Sequence, residues 1–380
     1  MTSFRKTGRA PAVIIALILV LGLAGPALFG QPKKALTFTD MMKFRHLRNP
    51  VISEDGEWVA FASQPDRGDG EGMAVHVKTG KTHVVPRGAR PVLSADGRWA
   101  GFTILPKAEE VEKAGKDKPK PGMVLVDLDS GRIHETAGID RFAFSEDGAW
   151  LAVLLAKEDK KDATPETKPE AKPPSLETGA DLVLRRLATG EEIRTAFVTS
   201  FAFDKASSRL ACAAAHPDGK ANGVFLRDLG KPGLPKTAVH QAERGSYRNL
   251  AWSDAGGRLA FIAGLQDDKA RVRTCSLWRW DPATARAVEA VPAAAAPEGW
   301  IIPAKNELTW SEDGRRLFFG LKPADMEDPS ETQKTEDKDA PLDLFDWDSI
   351  LAKREVDVWH WNDPFINSHQ KKMWNRLKDQ

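Results

Sequence analysis

Short stretches of alternating apolar and polar residues, each broken by a polar turn, recur along most of the chain. Six segments share one pattern: an apolar strand, a turn of the form Ser-x-Asp-Gly, and a second strand with apolar residues at every other position. Alternation with a period of two on both sides of a tight turn is typical of a β-hairpin. The segments are NPVISEDGEWVAFAS from Asn49, RPVLSADGRWAGFTI from Arg90, DRFAFSEDGAWLAVLL from Asp140, TSFAFDKASSRLACAAA from Thr199, RNLAWSDAGGRLAFIAG from Arg248 and NELTWSEDGRRLFFGLK from Asn306.

The turn residues have a physical reason to recur. A tight hairpin needs a positive φ, which glycine adopts without strain, and Ser and Asp side chains can hydrogen-bond the backbone of the turn. The fourth copy, Asp204 to Ser207, has no glycine. We expect a positive φ at the turn glycines of the other copies, which are Gly56, Gly97, Gly148, Gly257 and Gly314.

A third alternating strand follows each hairpin, and apolar residues resume after it in the first three copies, which predicts a fourth strand. Four short strands in a repeated unit are typical of a β-propeller blade. The sequence therefore predicts an all-β fold, a β-propeller of about six four-stranded blades over residues 35–366, with an incomplete seven-bladed ring as the alternative. The third strands begin at Met73, Gly122, Ala180, Gly223, Ser276 and Asp357.

Three polar inserts separate second from third strands, near 106–121, 157–179 and 323–341. They are rich in Lys, Glu, Asp, Pro and Thr, so we expect them to be disordered and to emerge on one face of the propeller. They either screen an opening or are simply tolerated as solvated loops.

The segments outside the repeat predict other elements. Thr37 to Arg45 predicts a short helix capped by Thr37 or Thr39, and Pro341 to Arg354 predicts another. Residues 367–380 form a polar tail.

Residues 1–30 have the layout of a signal peptide: Arg5, Lys6 and Arg9 precede an apolar run from Val13 to Leu23. The alternative is an uncleaved membrane anchor. Either predicts an exported protein, periplasmic or extracellular.

Composition narrows the possible partners. Lys and Arg number 55 against 54 for Asp and Glu, so the chain lacks the basic surplus that nucleic-acid binding requires. The two cysteines, Cys212 and Cys275, could form a bridge in an oxidising compartment. Two buried, unpaired thiols in different repeat units are favoured, because one bridge is not needed to hold a core of this size.

No catalytic constellation is visible. There is no Gly-x-Ser-x-Gly turn on an α/β pattern, no phosphate-binding glycine loop, and no histidine pairs with Cys or a carboxylate at metal-ligand spacing. Asp127 to Gly131 resembles a calcium loop but lacks its remaining ligands, and predicts a turn. We therefore assign no catalytic, cofactor-binding or metal residues and no cofactor. The histidines are His46, His76, His83, His134, His216, His240, His360 and His369.

Most tryptophans recur at equivalent repeat positions, which favours packing between blades over a ligand site. Trp58, Trp99 and Trp150 follow the turn, and Trp252 and Trp310 precede it. The same interpretation applies to the pairs on third strands, which are Trp278 with Trp280 and Trp359 with Trp361.

The lead-in LTFTDMMKFRHLRNPVISEDGEWVAF and the later VDVWHWNDPFINSHQKK resemble segments of secreted bacterial serine peptidases of the prolyl oligopeptidase family, and the Ser-x-Asp-Gly hairpins resemble TolB-type propeller repeats. The resemblance covers roughly residues 35 to 380. In that family a propeller of seven or more blades admits short peptides to a C-terminal α/β-hydrolase domain. No catalytic residue can be transferred here, because the sequence ends before such a domain.

The resemblance implies that the chain is a non-catalytic propeller that gates substrate access. It would be the truncated and inactive portion of an exported peptidase. The partners of this propeller would be a peptide substrate and a missing hydrolase domain. The alternative is a free-standing periplasmic TolB-like propeller that binds a protein. A propeller enzyme that uses its central channel is disfavoured by the absence of convergent His and carboxylate residues. Membrane contact would come only from an uncleaved N-terminal segment.

Overall fold

A computed structural model describes residues 35–114, 118–157, 176–267 and 272–324. The chain divides into two units, Met1–Phe44 and Arg45–Gln380. The predicted signal peptide, the helix at Pro341–Arg354, the tail and the strand with Trp359 and Trp361 lie outside the described residues. No helix in the described part of the chain is long and apolar enough to cross a membrane.

The described part of the first unit is one short helix, α1, at Phe38–Met42. Thr37 caps it through a reciprocal pair of bonds. The Thr37 hydroxyl accepts a bond from the Asp40 N–H at 3.1 Å, and the Asp40 carboxylate accepts one from the Thr37 N–H at 3.0 Å. This capping box supplies partners to donors that a helix start leaves unpaired, so Thr37, rather than Thr39, is the cap.

The second unit is a β-propeller built of antiparallel, four-stranded blades. The first, second and fifth blades are separate sheets in strict chain order. The strands are β1 Arg45–Ile52, β2 Trp58–Pro65, β3 Glu71–His76, β4 Thr82–Pro86, β5 Gly88–Leu93, β6 Trp99–Ile104, β7 Gly122–Asp127, β8 Ile133–Thr136, β9 Ile139–Phe144, β10 Trp150–Leu155, β11 Ala180–Arg186, β12 Glu192–Phe203, β13 Arg209–Ala214, β14 Gly223–Asp228, β15 Lys236–Gln241, β16 Gly245–Trp252, β17 Leu259–Gln266, β18 Val272–Trp280, β19 Val288–Val291, β20 Trp300–Ile301, β21 Thr309–Trp310, β22 Leu317–Phe318 and β23 Lys322–Pro323.

The third and fourth blades share the long strand β12. Its first half pairs with β11 and its second half with β13, so one strand is outermost in one blade and innermost in the next. Phe197, at the changeover, has a φ of 62°. Fourth strands, which the sequence predicted in three copies, occur in five blades, and β20–β23 and β21–β22 are the described parts of a sixth.

The Ser-x-Asp-Gly turns form as predicted, with a positive φ at all five glycines, from 58° to 70°. In the third blade the Ser145 hydroxyl accepts a bond from the Trp150 N–H at 3.0 Å and donates to the Asp147 carboxylate at 2.6 Å. The hydroxyl is buried and thus joins the turn to the start of the next strand. These Ser and Asp residues are structural.

The fourth turn adopts the same positive φ without a glycine. Ser207 occupies the glycine position with a φ of 54°. Asp204 replaces the turn serine, and its carboxylate accepts a bond from the Arg209 N–H at 2.8 Å. The Ser207 hydroxyl accepts a bond from the Asp147 N–H of the preceding blade at 2.9 Å. The side chain that strains the backbone therefore also links two blades.

Each buried cluster is an interface between successive blades. Blades one and two meet around Phe102, blades two and three around Ile139, and blades three and four around Phe201. Blades four and five meet around Phe261, and blade five meets the described part of the sixth around Ile302. A blade therefore buries its apolar face only by stacking against its neighbours, as expected for a repeat that cannot fold alone.

The tryptophans pack between blades, as their repeat positions predicted. Trp58, Trp99 and Trp150 are buried in three successive interfaces. The Trp252 indole donates to the carbonyl of Ala202 in the preceding blade at 3.0 Å, and Trp310 makes the equivalent bond in the next pair of blades.

The inserts differ from the prediction where they are described. The prediction of a disordered first insert is wrong at Ala108–Lys113, which form a helix, α2. An ion pair at 2.8 Å joins Arg67, in the β2–β3 connection, to Glu112 on this helix. Residues 115–117, 158–175 and 325–341 lie outside the described residues.

Both cysteines are buried and unpaired, in β13 and β18 of different blades. Burial raises the pKa of Cys212 to about 12 and that of Cys275 to about 11.

Candidate functional site

The described histidines are spread over the first, second and fourth blades. Within the described ranges, no group of three or more His, Cys, Asp or Glu side chains could hold a metal ion. His83 stacks on Trp58, the ring of His216 lies 4.7 Å from that of Phe197 at a tilt of 46°, and His240 bonds to Tyr247. Asp127 caps its own turn, since its carboxylate accepts a bond from the Ser130 N–H at 3.0 Å.

The candidate site is the wall formed by the innermost strands, which line the central channel of a propeller. We call it the channel wall and define it by β1, β5 and β9. A cavity of about 500 Å³ opens on it, lined by Val51 to Glu54, Pro91 to Ala95 and Phe142 to Glu146. Three successive blades thus contribute one strand each to a single concave surface.

The channel wall exposes apolar side chains. Ile52 is 67% exposed and Val92 39% exposed, and Phe142 and Phe144 lie beside them, half-buried, with their rings packed edge to face. Glu54 and Glu146 stand at the rim, where the strands enter their turns. An apolar surface bordered by charges is the usual form of a site for an organic ligand.

A β-bulge interrupts the innermost strands at equivalent positions. Pairing skips between Arg48 and Val51 in β1 and between Ala89 and Val92 in β5, and β16 repeats the irregularity. Asn49 and Arg90 have φ values of 49° and 48° within these bulges. Arginine seldom adopts this region, and bulges that re-aim side chains are concentrated near binding sites.

The channel wall carries arginines just before the apolar stretch. Arg48 and Arg90 are exposed and make no hydrogen bond or ion pair with the described residues. Arg141 lies over the ring of Phe201 at 4.5 Å and donates to that residue's carbonyl at 2.8 Å. Burial lowers the pKa of Arg141, but an arginine remains charged at neutral pH.

The innermost strand of the fifth blade differs, because its arginine, Arg248, forms an ion pair with a glutamate from another blade. Both terminal nitrogens of Arg248 bond to the Glu177 carboxylate, at 2.7 and 2.8 Å. Glu177 lies just before β11, and its own N–H donates to Gln266 at 2.9 Å. Gly179 permits this path, since a Cβ there would lie 2.0 Å from the Phe197 carbonyl oxygen. Among the arginines on the described innermost strands, the two without a described partner, Arg48 and Arg90, therefore lie on the channel wall.

Sequence reasoning assigned no site residues and missed this surface. The repeat alignment did hold the signal: Arg48, Arg90 and Arg141 stand four or five residues before the turn serine in three successive copies. Which of these arginines finds a partner depends on how blades stack, which a single repeat does not encode.

The comparisons with known proteins concern the fold. No family model and no curated protein matches the chain. It is similar to the β-propeller domain of the trilobed protease from Pyrococcus furiosus, with 14% identity and a TM-score of 0.39 over 74% of this chain and 83% of that one.

A prolyl endopeptidase is similar at 15% identity and a TM-score of 0.43, over 83% of this chain and 46% of its own. An oligogalacturonate lyase solved with manganese is similar at 17% identity and a TM-score of 0.38, over 70% of this chain and 69% of its own. The chain spans less than half the length of that endopeptidase. Peptidase propellers are thus among the structures it resembles, and the likeness extends to the fold alone.

Proposed function

We propose that this chain is a non-catalytic propeller that admits extended peptides along its channel wall to a peptidase domain of the prolyl oligopeptidase type. The observation that carries the proposal is the concave, apolar surface shared by three innermost strands, with unpaired arginines beside it. The likeness of the lead-in sequence to that family supports the peptidase assignment.

The chemistry of the wall suits an unfolded peptide. Exposed Ile52 and Val92 offer apolar contact to side chains, and Arg48 and Arg90 offer charged forks that suit carboxylates. A cavity of about 500 Å³ accommodates a few residues of extended chain and is too small for a folded domain. In this proposal the chain is exported, and the hydrolytic residues belong to a separate domain.

The test is the binding of a labelled, unstructured peptide of about eight residues to the purified chain, followed by fluorescence anisotropy. Val92→Trp narrows the cavity and should weaken binding about tenfold, since the added ring replaces the volume that the peptide would fill. Val288→Trp is the matched control, because Val288 is also exposed, at 52%, but lies on the outermost strand β19. Equal effects of the two variants would contradict the proposal.

A second arm distinguishes the protein-binding alternative. A small folded domain that carries the same peptide within its structure should not bind. Tight binding of that domain, unaffected by Val92→Trp, would instead support a free-standing protein-binding propeller. The coding sequence downstream of Gln380 provides an independent check, since the proposal expects a hydrolase domain to be encoded there.

A further inference from the structure

A separate cleft between the fourth and fifth blades has three aromatic rings in its walls, those of His240, Tyr247 and Trp278. It is a cavity of about 340 Å³, near the lower limit for small-molecule sites. Strand β15 of the fourth blade forms one side, and β16, β17, β18 and β19 of the fifth form the other. Its chemistry comes from His240, Tyr247, Ser276, Trp278 and Glu289.

The register of the fifth blade places an aromatic ring beside a carboxylate. Phe261, Trp278 and Glu289 are direct cross-strand partners on β17, β18 and β19. Side chains opposite each other in neighbouring strands share a face of the sheet, here the face toward the fourth blade. Trp280, two residues further, is buried in the core between these blades, whereas Trp278 stays half-exposed on the cleft. The prediction that both tryptophans pack between blades is therefore confirmed for Trp280, whereas Trp278 packs only in part and also lines the cleft.

The rings form walls rather than a stack. The His240 and Trp278 rings lie 4.0 Å apart at 61°, and His240 meets Tyr247 at 67°. The Tyr247 hydroxyl lies 2.9 Å from His240 Nδ1, and this tyrosine, the only one in the chain, is 2% exposed. The hydrogen bond holds the imidazole in place against the indole before any ligand arrives.

The sign of the charge in the cleft is set by one carboxylate. Glu289 lines the cavity, and no Lys or Arg is among its described lining residues. Burial, and then the charge of nearby Arg286, lower the pKa of His240, with Glu289 opposing them. The lowered pKa favours the neutral imidazole, and Glu289 is the one acidic side chain among the described residues that line the cleft.

Aromatic rings attract cations through the negative potential of their faces, and such groups of rings recognise ammonium and quaternary ammonium ions. We propose that this cleft binds an organic cation, an ammonium group on a small apolar body. The aromatic rings would hold its methyl or methylene groups, and the Glu289 carboxylate would balance its charge. The inference stands independently of the proposed function, because no residue of the channel wall lines the cleft.

The test is ligand-observed NMR titration of the full chain with choline and with 3,3-dimethyl-1-butanol, its uncharged analogue of equal shape. We expect choline to bind about tenfold more tightly, as a partly desolvated cation–π contact predicts. A second pair of probes, phenylalanyl-alaninamide and its N-acetyl form, separates two sources of the ammonium group. Tighter binding of the free dipeptide amide than of choline would identify a peptide N-terminus as the ligand, and the reverse order a free small cation.

Matched variants locate the effect. Glu289→Gln should weaken choline binding about fivefold or more, and Trp278→Leu should abolish it while Trp278→Phe retains part of it. Glu312→Gln and Trp300→Leu, exposed residues that do not line the cleft, should leave it unchanged. Equal affinity for choline and its neutral analogue, equal effects of the two Glu→Gln variants, or no saturable choline binding would overturn the proposal.

Discussion

The turn without glycine offers a precise test of how the repeats stabilise each other. Ser207 holds a φ of 54°, and the left-handed region costs a residue with a side chain about 1–2 kcal/mol. In return, its hydroxyl accepts a bond from the Asp147 N–H of the preceding blade, and Ser207 is 7% exposed. A hydrogen bond of this kind contributes about 0.5–1.5 kcal/mol, and leaving its buried partner unpaired costs about 1–3 kcal/mol.

These magnitudes predict different results for two substitutions. Ser207→Ala keeps the strain and loses the bond, so it should lower the free energy of unfolding by about 1–3 kcal/mol. Ser207→Gly relieves the strain, which stabilises the fold. It also loses the same bond and gives the unfolded chain more entropy, and both of these destabilise the fold. The contributions nearly cancel, so the free energy of unfolding should change by no more than about 1 kcal/mol.

Urea unfolding followed by tryptophan fluorescence measures both, provided that the transition is two-state. Gly148→Ala is the matched control at the equivalent turn position, where φ is 70° and a Cβ would lie 3.1 Å from Asp96 atoms. It should destabilise by about 1–2 kcal/mol. The reasoning is refuted if Ser207→Ala is as stable as the wild type, or if Ser207→Gly is the worse of the two.

Three further predictions concern thiols, pH and the channel wall. Burial raises the pKa of Cys212 to about 12 and that of Cys275 to about 11, so neither thiol should react with Ellman's reagent at pH 8 in the native protein. Two thiols should react once the protein unfolds. Rapid labelling of the native protein would contradict their burial. The bond from the turn serine holds the pKa of Asp55 below its ordinary value, so its contribution to stability is present above about pH 4 and is lost as pH falls through the lowered pKa. Asp55→Asn should therefore flatten the pH dependence of unfolding below pH 4, and an unchanged slope would speak against the role of the turn. Arg90→Ala should slow the association of an acidic peptide and weaken its salt dependence, whereas Arg315→Ala, in an exposed turn, should not; stopped-flow anisotropy at two ionic strengths distinguishes them.

The hairpins of the repeat could be predicted because they depend on interactions between residues close together in the sequence. A period of two and a glycine that must take a positive φ determine each hairpin, and Gly56 and Gly148 take it as expected. The substitution of Ser207 for glycine was not predictable, because its compensation comes from Asp147, sixty residues earlier in another blade. The helix at Ala108–Lys113 was missed for a similar reason, since Asp69 in the preceding blade accepts a bond from its first N–H at 2.8 Å.

The candidate surfaces depend on the stacking of blades, so the sequence revealed their residues but not their grouping. Arg48 and Arg248 occupy equivalent positions in the repeat, yet nothing local showed that Arg48 remains without a described partner while Arg248 is neutralised by Glu177. His240 was one of eight scattered histidines until the fold placed its ring 4.0 Å from Trp278.

The most direct test of the central claim is to map where a bound peptide lies. A peptide of about eight residues with a benzophenone side chain, irradiated with the full chain and analysed by mass spectrometry, reports the strands within reach of its position in the cavity. We predict cross-links to β1, β5 and β9, near Ile52, Val92 and Phe142, and their loss in Val92→Trp. Cross-links confined to the outermost strands β4, β8 and β19, and unchanged in that variant, would contradict a channel that admits peptides.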